Sequence, residues 1–63
     1  MEEIERQLAA IRASRADSER AHVDEDELYK YVLGLIAEGA SNPAQLARLA
    51  LTARDIEFDR WYA

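Results

Sequence analysis

Few residues in this chain have types and spacing suited to chemistry. His22 and Asp26 stand four apart, a spacing that brings two side chains together on a helix. Asp24-Glu25-Asp26-Glu27 is an uninterrupted carboxylate run, the kind of cluster a hard cation takes. Neither suffices. A calcium loop needs alternating acids, a Gly at the turn and a distal Glu, and no Gly follows Asp24 at the right place. Two ligands, His22 and Asp26, do not make a metal site. His22 is the single histidine, and no partner or pocket for a general base is evident around it. It reads as a solvated residue. Ser14, Ser18 and Ser41 read as polar or turn residues. With no cysteine there is no thiolate nucleophile, disulfide or zinc–thiolate cage, and two glycines cannot build a phosphate loop. The expectation is no enzyme, no metal and no cofactor.

The remaining chemistry is that of surfaces. Phe58, Trp61 and Tyr62 fall at i, i+3, i+4, one side of a helix, and are three of five aromatics. They either close a core or anchor an interface. Ile4, Leu8 and Ile11 recur at i, i+4, i+7, a short amphipathic stripe. These six residues are the expected interface.

The elements that must position them are helices. The first carries the Ile4-Leu8-Ile11 stripe, with Ala9, Ala13 and Ala16 on nearly the opposite side. Nothing breaks it before Gly34, so it is expected to run to about Arg20. The stripe lasts two heptads, too few for a coiled coil. The second helix is expected to start at Asp24 as N-cap, with Glu27 completing a capping box, Val23 and Leu28 forming a staple, and the carboxylates complementing the helix dipole. Gly39 ends it in the left-handed conformation. Its apolar residues, from Leu28 to Ile36, sweep an arc of roughly 200°, wide enough for neighbours on two sides. Gly34 lies on the remaining face, where either a backbone approaches or the cost of Gly is tolerated.

A third helix begins at Asn42-Pro43-Ala44-Gln45, with Asn as N-cap, Pro at N1 and Gln45 reaching back. Leu46, Leu49 and Ala50 form its buried face. Thr52 with Asp55 repeats the capping-box spacing, and Leu51 with Ile56 the staple. A break near Thr52 and a short fourth helix over 53–61 are therefore expected, with one long helix as the alternative. Ile56-Glu57-Phe58-Asp59 is the one strand-like alternation, too short and unpartnered to form a strand.

The fold class expected is all-α: a small bundle of three to four short helices in one domain, 1–63, with the second helix central. Twelve alanines add little core volume, and a chain this short buries only about 60% of its unfolded surface. With no disulfide or metal to staple it, oligomerisation is expected to complete the core.

Net charge is −5, from 8 basic and 13 acidic residues. Residues 1–40 carry all of it; residues 41–63 are neutral. Gln45-Leu46-Ala47-Arg48-Leu49-Ala50 resembles the first helix of a helix-turn-helix, and residues 43–62 would then bind DNA with 54–61 as recognition helix. The usual turn Gly is missing, and Asp55, Glu57 and Asp59 would repel phosphate. An acidic nucleic-acid mimic acting as an inhibitor is a further alternative. The function expected is a non-enzymatic helical interaction module, a homodimer that binds another protein as regulator or inhibitor, rather than nucleic acid. The acidic start and a longest apolar run of seven residues, 31–37, point away from a leader or membrane span and toward the cytoplasm. Seven Arg among eight basic residues, with abundant Ala, fit GC-rich coding in a bacterium or phage.

Overall fold

The computed structural model describes residues 2–58. They form three helices, α1 (Glu2–Ala13), α2 (Ser18–Ala37) and α3 (Pro43–Leu51), followed by a 3-10 turn, Thr52–Asp55. No strand forms among the described residues. The fold is all-α. Helices α1 and α3 both pack on α2 and also touch each other. The core collects Ile4, Leu8 and Ile11 from α1, Ala21, Leu28 and Val32 from α2, Leu46 and Ala50 from α3, then Ala53 and Ile56.

The boundary between α1 and α2 corrects the sequence reading. Helix α1 stops at Ala13 rather than near Arg20, and α2 starts at Ser18 rather than after Asp24. Neither Gly nor Pro makes the break. The apolar stripe ends at Ile11, so further turns have nothing to bury. The Ser14 amide instead closes the last turn on the carbonyls of Ala10 (3.1 Å) and Ile11 (3.2 Å), and its carbonyl accepts from the Asp17 amide at 2.8 Å as the chain turns. Asp17 adopts extended backbone, and its Oδ1 accepts from the Arg20 amide at 3.2 Å, so Asp17 is the N-cap. Val23 is accordingly no staple: it lies inside α2 and is 51% exposed. The broad apolar arc is only partly covered. Leu28 and Val32 are buried and Tyr29, Leu35 and Ile36 half-buried, but Tyr31 and Leu33 face out.

The end of α2 follows the sequence. Gly39 has φ +94°, its amide bonds the Ile36 carbonyl (3.0 Å) and the Ala40 amide the Leu35 carbonyl (3.1 Å). This is a Schellman closure, and Ala40 packs on the core beyond it. Helix α3 begins after Asn42 with Pro43 in its first turn, as expected, although the Asn42 side chain caps no amide; its Nδ2 instead meets Gln45 Oε1 at 3.5 Å.

A change of direction does occur at Thr52, but no α-helix follows it through residue 58, and α3 does not run on as one long helix. The Thr52 hydroxyl donates to the Leu49 carbonyl at 2.7 Å, so it closes α3 instead of opening another helix. One 3-10 turn buries Ala53, and Ile56 then turns to extended backbone (φ −79°, ψ 119°) and enters the core. Leu51 is exposed while Ile56 is buried, so they form no staple. The rest of the expected fourth helix, with Trp61 and Tyr62, lies outside the described residues.

Candidate protein-interaction surface

The structure separates the six residues expected at an interface. Ile4, Leu8 and Ile11 are fully buried inside this chain, against α2 and the segment after α3. Phe58 is half-buried against the same core. Trp61 and Tyr62 lie outside the described residues.

An open apolar surface lies elsewhere. Helices α2 and α3 diverge enough to leave a groove of about 360 Å³, lined by Tyr29, Val32, Leu33, Ile36, Ala47, Ala50 and Leu51. Its rims are Leu33, 65% exposed, and Leu51, 44% exposed. Helical spacing explains it. Tyr29, Leu33 and Ile36 stand at i, i+4, i+7 on α2, to one side of the buried Leu28–Val32 line. Ala47 and Leu51 make the matching i, i+4 pair on α3. The two alanines on the α3 wall, Ala47 and Ala50, are too short to fill the space between the helices, and so the groove stays open.

Charge is arranged around this groove. Leu51 also borders a shallow depression formed with Arg48, Thr52, Arg54 and Asp55. Among the described residues, neither Arg48 nor Arg54 has a carboxylate within ion-pair distance. On the α2 side, Asp26 stands three residues before Tyr29 and seven before Leu33, on the same flank of the helix. Asp26 meets His22 Nε2 at 3.5 Å and keeps half of its side chain exposed.

The larger recess, about 590 Å³ between α1 and α2, is of another kind. Its three cations each have a carboxylate on their own helix: Arg6 with Glu3, Arg20 with Asp24 at 3.5 Å, Lys30 with Glu27 at 3.5 Å. Arg6 grips Glu3 with two nitrogens, Nε at 2.9 Å, and Gln7 Nε2 adds a bond at 2.8 Å. The Arg6 bond, then the Gln7 bond, hold the Glu3 carboxyl down to about 2 from its ordinary 4.5, and Glu3 in turn raises the Arg6 guanidinium. These are local helix pairs, and no large apolar side chain in the recess offers an anchor beyond Tyr31.

The groups singled out for chemistry find structural places. Asp24 accepts from the Ser14 hydroxyl at 3.1 Å, which ties the end of α1 to the middle of α2. Glu25 is buried, 6% exposed, and accepts from the Tyr29 hydroxyl at 3.2 Å. His22 sits in the second turn of α2 and is only about a quarter exposed, less solvated than expected. No group of three or more His, Cys, Asp or Glu able to hold a metal occurs among the described residues. None of their helices is long and apolar enough to cross a membrane.

The groove and Glu25 were both missed from the sequence for one reason. Placing the start of α2 at Asp24 made Glu25 a first-turn charge. With the start at Asp17, Ala21, Glu25, Leu28 and Val32 line up at i, i+4, i+7, i+11, and a carboxylate within that apolar line is visible as a buried one.

No protein-family model, curated protein or solved structure matches the chain.

Proposed function

We propose that this chain is a non-enzymatic helical interaction module that self-associates and docks another protein through the α2/α3 groove. The observation that carries the reading is the groove itself: an apolar channel with two exposed leucines on its rims, while the Ile4-Leu8-Ile11 stripe is buried. Exposed leucines on both rims of an all-apolar channel are what such a docking surface offers a partner's side chains. Three helices with α2 between its neighbours form a small bundle, and association covers the apolar groove left open between α2 and α3. A regulator or inhibitor in the cytoplasm, occupying a partner's surface, fits such a module.

The DNA-binding alternative draws no comparable support. Arg48 and Arg54 are exposed, but residues 52–58 supply a 3-10 turn and extended backbone where a recognition helix would begin. The chain as a whole carries −5. No observation specifically favours nucleic-acid mimicry.

The test is co-expression of tagged and untagged copies in host cells, with a Leu33→Glu/Leu51→Glu bait beside the wild type. The wild-type bait retains its own untagged copy or a second protein, and the double variant loses it. A wild-type bait that retains neither, or a variant that retains the same set, defeats the reading.

A further inference from the structure

The geometry points to a second copy of this chain as the occupant of the α2/α3 groove, in a two-fold contact that sets the Arg48/Arg54 rim of each copy against the Asp26 rim of the other. This rests on the groove being the docking surface. The added observation is the distribution of charge around it. A two-fold contact pairs one patch with itself, so every interacting pair must have both members on that patch. The groove meets that condition. Its centre is apolar, Leu33 and Leu51 flank it, beyond Leu51 stand Arg48 and Arg54 with one acid, Asp55, beside them, and on the α2 flank helical spacing places Asp26, half-exposed and 3.5 Å from His22. A two-fold axis running along the groove lays each α3 over the other copy's α2. Leucine then meets apolar channel, and guanidinium meets carboxylate.

Charge also accounts for why an acidic chain would pair with itself. Two molecules of −5 repel at long range. The excess acid lies in residues 1–40, whereas α3 and the turn after it bring arginine to the contact. Size agrees as well. The described residues span 35 × 20 × 15 Å, so an interface of standard size, roughly 800 Å² per partner, would take up about one whole side of them. One dimer contact would cover most of one side.

Sedimentation of the full chain from low micromolar to millimolar concentration tests this, with far-UV circular dichroism confirming that each variant is helical. The wild type is expected to show a monomer–dimer equilibrium that salt weakens. Arg54→Asp and Asp26→Arg, both at exposed positions, should each weaken the dimer by about tenfold or more, because symmetry counts each change twice. The Arg54→Asp/Asp26→Arg double variant should recover to within about threefold of wild type, since coupled positions are non-additive. A wild type that stays monomeric throughout, single reversals without effect, or a double variant no better than the singles would each overturn the second-copy assignment. A monomer that still retains another protein through Leu33 and Leu51 would leave the docking surface standing and remove only this occupant.

Discussion

Glu3 shows how a surface carboxylate can be strongly perturbed by its own helix. Arg6 and Gln7, one turn further on, both donate to it, and the charged form is favoured. The folded carboxyl titrates at about 2 and the unfolded one near 4.5. A lowered folded value means the contact stabilises the fold fully above 4.5, and that contribution is lost as pH falls through about 2. An NMR carboxyl titration should place Glu3 well below the other glutamates, and Arg6→Ala should return it toward the ordinary value. Glu25 lies inside the core, 6% exposed. Tyr29→Phe removes a hydroxyl bond to it, and a side-chain hydrogen bond contributes roughly 0.5–1.5 kcal/mol. Chemical denaturation should show a loss of that order, with the helical spectrum unchanged.

Gly34 within α2 and Gly39 just past its end give opposite predictions for the same substitution. Gly34 is mid-helix and exposed, with nothing within 4 Å of an added Cβ, so its cost is simply tolerated and Gly34→Ala should stabilise by roughly 0.5–1 kcal/mol. Gly39 also has open space, but its φ is +94°, and Gly39→Ala should destabilise by roughly 1 kcal/mol or more. Thermal melts of the two variants should move in opposite directions. A parallel contrast separates the two candidate caps. Asp17→Ala should cost about 1 kcal/mol as loss of an N-cap, and Asp24→Ala should act by freeing the end of α1 from α2. Helix ends fixed by backbone geometry, Gly39 and Pro43, were legible in the sequence. The α1/α2 break was not, because Ser14 and Asp17, residues of ordinary propensity, form it. The fourth helix was misread because Thr52 and Asp55 have the spacing of a capping box while the burial of Ile56 demanded extended backbone. The stripe Ile4-Leu8-Ile11 was read correctly as apolar, but spacing alone does not say whether the facing surface belongs to the same chain.

At the scale of the molecule, apolar residues divide into those the fold buries and those it presents. Leu28→Ala should cost roughly 2–5 kcal/mol, the range for a fully buried leucine. Leu33→Glu should leave the dilute monomer close to wild type and act on assembly. Measuring melting temperature against concentration for both variants separates the roles: Leu28→Ala melts lower at every concentration, and Leu33→Glu loses only the concentration dependence. Titration with duplex DNA at physiological salt should give no submicromolar, salt-sensitive binding, since affinity rests on phosphate neutralisation and the net charge is −5.

The buried alanines carry a consequence for ancestry. Ala21 of α2 and Ala53 of the turn after α3 have no exposed surface at all, and both belong to the core. A larger side chain at either position would overpack the core, at a cost of typically 1–3 kcal/mol. Ala9, Ala10, Ala13 and Ala16 face solvent and carry no such constraint. Substitutions accumulating along a lineage should therefore scatter freely over the second set and leave the first small. A distant descendant of this chain is better recognised by small residues thirty-two positions apart than by its overall richness in alanine.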